Sequence, residues 1–165
     1  MKASKILFTV IISLFIVTGT YAQNSQTFNS GLNAAKSSGK KIFLYIYSES
    51  DSWSKKTDTE VIASDGVKKA LEAFTFIRLN ADSPDKFTYN KKEYTSSDLA
   101  KQFGGTGYPT FVFMNPDGSV ISFKYNGDVT SNISGFMGAD DFADMLNFFA
   151  QNKHQNSDLS TIFSN

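Results

Sequence analysis

Apolar residues recur along this chain in two rhythms. Residues 41–47, KIFLYIY, form a nearly continuous β-branched, aromatic and aliphatic run, the composition of a strand buried on both faces. Residues 74–80, FTFIRLN, predict a second strand. A third and a fourth, residues 110–114 and 120–125, flank Asn115-Pro116-Asp117-Gly118, a strong hairpin turn. The other rhythm is helical. Phe28, Leu32 and Ala35 predict a short helix over residues 27–37, closed by Gly39. Residues 55–63 read as helix, and Asp65 caps another that runs to Phe74. Ser96 and Ser97 precede DLAKQF, a short helix ended by Gly104-Gly105. Residues 140–150 close the series, with Phe142, Met145, Leu146 and Phe149 on one face. Residues 81–95 are polar and turn-rich, with Asn90-Lys91-Lys92 as a small hairpin or loop, and a polar tail follows Gln151.

After the introductory helix the order is therefore β-α-β-α-β-β-α. Alternation at the start implies parallel βαβ units, and the last two strands imply an antiparallel hairpin. The pattern predicts an α/β fold with a mixed central β-sheet flanked by helices on both faces.

The first 22 residues follow a different rule. Lys2 and Lys5 precede an apolar run over residues 6–17, and Thr20-Tyr21-Ala22 supplies small residues before a break. That is the layout of a secretory signal peptide, and it predicts an exported, periplasmic or secreted protein. The run is well short of the roughly 20 residues that span a bilayer. No cysteine follows to carry a lipid, and an uncleaved signal anchor is the alternative. The expected organisation is signal peptide 1–22, N-terminal extension and helix 23–39, main domain 40–151 and polar tail 152–165. Without Lys2 and Lys5 the chain has 14 basic residues against 16 acidic, a net charge of −2. Such a balance gives no electrostatic case for nucleic acid or an anionic membrane. Sixteen phenylalanines and seven tyrosines suffice for a large core. Exported proteins often use disulfides, but this chain has no cysteine, so packing alone must hold it.

The stretch LYIYSESDSWSKKTDTEV, residues 44–61, runs as a strand, breaks into small polar residues around the single tryptophan, and restarts as a lysine-led helix. Together with FTFIRLNAD, LAKQFGGTGYPTFVFMNPDGSVI and GFMGADDFADMLNFF, it resembles the thioredoxin superfamily, in particular exported thioredoxin-like proteins of the SoxW type. The likeness covers residues 40–151, and GYPTFVFMNPDG is its most specific piece. It implies a thioredoxin-like fold in which Pro109 is cis and lies beside the active-site turn. Placed on this chain, the family's C-x-x-C motif falls on Asp51, Ser52, Trp53 and Ser54, with Asp51 and Ser54 at the cysteine positions. A second register uses Ser52 and Ser54. Neither restores a thiol.

Thiol–disulfide exchange needs one thiolate to attack and a second thiol to resolve the mixed disulfide. Here the helix terminus that would stabilise a thiolate meets Asp51, an anion and a cap. Other chemistries find little support. Ser52-Trp53-Ser54-Lys55 matches S-x-x-K, but without the partner motifs of acyl-transferring serine enzymes. Glu49 and Asp51 could pair as acid and base, though an exposed turn more often uses such residues for solvation and capping. His154 is the only histidine and sits in the tail, and Asp82, Asp85 and Asp98 lack calcium-loop spacing. No metal and no cofactor is expected. What the resemblance leaves is a groove between Trp53 and the Tyr108-Pro109-Thr110 loop, suited to a polypeptide or partner protein added as an extended strand. The alternative is a member of a thiol–disulfide oxidoreductase family whose cysteines are replaced in this chain.

Overall fold

The computed structural model describes residues 26–163; the signal-peptide reading falls on residues outside them. Helix α1 (Phe28–Ser38) ends at Gly39, whose φ of 71° is left-handed and free of strain in glycine. Strand β1 (Ile42–Tyr47) leads into α2 (Ser52–Lys56), which continues as a π-helical segment (Thr57–Ile62). Helix α3 (Asp65–Leu71) and strand β2 (Thr75–Asn80) follow, then the hairpin β3 (Lys86–Tyr89) and β4 (Lys92–Thr95). Helix α4 (Ser96–Gln102) precedes β5 (Thr110–Met114). Three short strands, β6 (Phe123–Tyr125), β7 (Asp128–Thr130) and β8 (Ile133–Ser134), lead to α5 (Ala139–Ala150).

The main sheet has the order β2-β1-β5-β8, with β1 parallel to β2 and antiparallel to β5. Because side chains alternate, β1 serves two cores. Phe43 and Tyr45 face a cluster built with β5's Phe111 and Phe113, α3 and α5. Ile42, Leu44 and Ile46 face the opposite cluster, with Val112, Met114, α1 and α4. Both sheet faces are thus covered, and the continuous apolar run of β1 is explained by its central place. The first cluster is largely aromatic: Phe113 stacks on Phe149 at 3.6 Å and Phe111 meets Phe142 edge-on at 4.9 Å.

Three elements depart from the sequence expectation. Residues 120–125 do not form one strand beside β5. The Asn115–Gly118 turn closes as expected, Val120 bridges Met114, and Ile121 N–H donates to Phe113 C=O at 2.9 Å. The chain then leaves the sheet to form the β6–β7 hairpin, and β8 returns to pair with Thr110 and Phe111. Asn126 and Gly127, both at positive φ, make the tight turn that redirects it. The second departure is the start of the site helix, at Ser52 rather than Lys55, since Asp51 caps it there. The third is α3, which is capped by Ser64, accepting from Val67 N–H, with Asp65 inside its first turn, and which ends at Leu71 rather than Phe74.

The core also draws on residues outside 40–151. Phe28 is fully buried among Phe87, Tyr89 and Phe103. At the other end Leu159 is buried in the aromatic cluster, so the polar tail folds back through helical turns at Lys153–Gln155 and Leu159–Ile162. Among the described residues no helix is long and apolar enough to cross a membrane.

Candidate functional site

At the end of β1 the chain turns through Ser48, Glu49, Ser50 and Asp51, and serine hydroxyls supply the bonds that a coil would lack. Ser48, itself buried, donates its hydroxyl to Asp82 Oδ2 at 2.7 Å and lies 2.8 Å from Ser50 Oγ. Ser50 N–H donates to Ser48 Oγ at 3.2 Å and Asp51 N–H to Ser48 C=O at 3.3 Å. Asp51 then accepts from Ser54 N–H at 2.7 Å, the side-chain cap that starts α2. Ser54 is buried and receives the Tyr45 hydroxyl on its carbonyl at 3.0 Å. In either register of the C-x-x-C motif the second cysteine position is thus this buried serine, while Ser52 is exposed.

Trp53 projects from the first turn of α2 with 51% of its surface exposed. Its covered side rests on Phe136, ring centroids 5.4 Å apart. Lys56 Nζ lies over the same two rings, 4.6 Å from the Phe136 centroid and 5.5 Å from that of Trp53, and pairs with Glu60 at 3.8 Å. Nothing in the sequence pointed to Phe136, which is 83 positions away from Trp53 and enters only because β8 lies beside β5.

Between these groups sits the Tyr108–Pro109 peptide bond, which is cis. Thr110 is buried, donates its hydroxyl to Gly107 C=O at 2.6 Å, and lies 2.8 Å from Ser134 Oγ. Gly135 N–H donates to Pro109 C=O at 2.9 Å. The loop is therefore pinned on both sides of Tyr108. Tyr108's own main-chain N–H and C=O have no partner among the described residues. Burial, and then the charge of Asp82, push the Tyr108 hydroxyl pKa up.

Asp82 lies two residues past β2 and is brought to the turn by the β1–β2 pairing, although the sequence alone sets it among scattered acids. The Ser48 hydroxyl holds its carboxyl below the usual range. Glu49 accepts from Asn80 Nδ2 at 2.9 Å, and Asp51 is committed as a cap, so each is tied to a structural donor. No hydrogen bond joins Ser52 to Lys55 among the described residues, and nothing supplies that pair with a base. His154 stacks on Phe149 at 5.2 Å, away from the turn. Thr95 caps α4, accepting from Asp98 N–H and donating its hydroxyl to the Asp98 carboxylate, and Asp85 accepts from Ser83. No cluster of metal-ligating side chains occurs among the described residues.

Behind the turn, Arg78 forms a bidentate pair with Asp58, at 2.7 and 2.8 Å, and lies over the rings of Tyr45 and Tyr47. This clamp ties the π-helical segment to β2. It gives Trp53 and Asp51 a rigid base.

A family model described as a thioredoxin-like domain matches residues 28–150. Among solved structures, a thioredoxin from Thermus thermophilus superposes with a TM-score of 0.54 at 22% identity, over 76% of this chain and 86% of that one. A thioredoxin-fold protein from Helicobacter pylori gives 0.58 at 18% identity, over 75% and 80%. The structure described as DsbH oxidoreductase gives 0.55 at 15% identity, over 92% and 95%. These likenesses concern the fold. No curated protein sequence matches the chain.

Proposed function

The chain belongs to the thioredoxin-like domain family, and from that premise we propose that it is an exported binding protein that holds an extended polypeptide in the former active-site groove. The observation that carries this reading is Tyr108. Its two main-chain groups are unpaired among the described residues, and its loop is pinned at Gly107 and Pro109 next to the rim that bears Trp53 and Phe136. An extended chain adding to those groups gains main-chain hydrogen bonds, and a half-exposed tryptophan offers the apolar anchor favoured at interfaces. Redox catalysis has no support, because no residue can form a mixed disulfide. Export rests on the charged and apolar pattern of residues 1–22, and kinship with SoxW-type proteins on the four sequence stretches.

The test is selection of peptides from a random display library on the protein, followed by titration of the selected peptides. Binding at roughly micromolar strength that is lost in Trp53→Ala supports the groove. Selected peptides that bind wild type and Trp53→Ala equally would move the function to another surface.

A further inference from the structure

The same rim carries a charge pattern, and this inference rests on the groove reading above. The sheet order sets four chain segments side by side at one end of the sheet: Asp82 after β2, the 48–54 turn after β1, Tyr108–Pro109 before β5, and Gly135–Phe136 after β8. Asp82 and Glu49 stand at the β2 side of this line, and the Trp53 ring, on the turn after β1, reaches Phe136 beyond β8 at the other. Asp82, Glu49 and Asp51 are held in place by Ser48, Asn80 and the Ser54 N–H. None of them takes part in an ion pair among the described residues. Lys56 is engaged with Glu60 and the two rings and Arg78 with Asp58, while Lys55, one turn along α2 from Asp51, joins no ion pair among the described residues. Asp82 and Glu49, farther from Lys55 along the chain, are thus fixed in position with no ion pair among the described residues. They complement a cation arriving from outside.

Geometry adds a spacing. From β2 to β8 is three strand intervals of about 4.8 Å, or about 14 Å, which an extended chain crosses in about four residues at ~3.3 Å each. We propose that the rim selects an extended polypeptide carrying a lysine or arginine about four positions from an aromatic or large aliphatic residue, with the cation facing Asp82 and the apolar side chain on Trp53 and Phe136. The main chain between them passes Tyr108. Fixed charges facing a mobile cation gain its attraction without ordering their own side chains, which raises the return from an exposed pair.

The probes are fluorescein-labelled ten-residue peptides of glycine and serine, each with one lysine and one phenylalanine four positions apart, made in both orders. Comparators replace the lysine by glutamate or place the two residues side by side. In low salt the spaced lysine peptide, in at least one order, is expected to bind about fivefold tighter than its glutamate counterpart, the scale of one or two exposed ion pairs. That advantage should shrink in about 0.5 M salt and disappear in Asp82→Asn, which keeps an oxygen to accept from Ser48. Lysine and glutamate peptides binding equally, both lost in Trp53→Ala, would overturn the charge selection and leave the groove standing. An adjacent pair binding as well as the spaced one would overturn the spacing. If no peptide binds, both readings fall.

Discussion

Replacing Trp53 by alanine tests the rim at two levels. A tryptophan side chain can bury up to about 250 Å², and here 51% of the residue's surface stays exposed. Roughly half is therefore covered, about 120 Å², mostly against Phe136 and the Lys56 stem. At about 25 cal/mol/Å² that burial is worth about 3 kcal/mol at most, and a realistic unfolded chain reduces it by 10–40%. Alanine returns about 0.5 kcal/mol through its better helix propensity. The expected loss of stability is about 1.5–2 kcal/mol, more than an isolated turn residue would show, because Trp53 also packs on the tilted Phe136 ring. In a chain of this size that lowers the Tm by about 3–8 °C. Binding to a selected peptide should fall by about 2 kcal/mol or more, near thirtyfold. Urea melts followed by circular dichroism, and anisotropy of a labelled peptide, read the two quantities separately. A double-mutant cycle with Phe136→Ala isolates the ring pair, with a coupling of about 0.5–1.5 kcal/mol expected. If the two substitutions add with no coupling, the ring contact contributes nothing and the stability argument fails.

Insulin reduction by the protein should not exceed a buffer blank, and dithiothreitol should leave the Tm unchanged, since the chain has no cysteine; measurable turnover would contradict the reading of the site. Lys91 sits at φ 64° in the β3–β4 turn, so Lys91→Gly should raise stability by up to about 1 kcal/mol in a urea melt, whereas Gly127→Ala at φ 86° should lower it. Asp158 accepts from the Ser160 hydroxyl and amide and from the amides of Gly127 and Asn126, and the first of these leads in holding its carboxyl at about 2 instead of 3.8. A depressed carboxyl contributes stability above its unfolded value and loses it as pH falls through the folded one. Acid melts between pH 4 and 2 should therefore be steeper for wild type than for Asp158→Asn, and identical slopes would remove Asp158 from the account.

The sheet was legible because its central strand is apolar at every position from Ile42 to Ile46, which only a strand covered on both faces requires. The closing helix was legible for the converse reason: its apolar residues share one stripe. What escaped notice was set by tertiary contact. Residues 120–125 carry strand-like composition, and only the position of β8 shows that Phe123 is spent on Phe149 instead of on a strand beside β5. The Asn126-Gly127 pair was a readable signal for that departure, since the dipeptide favours the tight hairpin turn. Leu159 in a polar tail was not readable, because a single apolar residue carries no periodicity. Within the site, the cap by Asp51 and the exposure of Trp53 follow from local sequence. Phe136 and Asp82 do not, because neighbouring strands bring them there.

The split cover of β5 has a consequence for how copies of this protein behave together. Val120 and Ile121 guard one half of that strand, Ile133 and Ser134 the other, and residues 122–132 leave the plane between them. The outermost strand on this side therefore pairs with β5 over just two residues before the chain turns away. A neighbouring molecule seeking to extend the sheet finds no long, flat row of free amides to copy. The opposite side is shielded in part by Gln26, which donates to Phe76 C=O and accepts from Arg78 N–H. Short, broken margins of this kind deny a protein so rich in phenylalanine the regular edge that fibre growth copies.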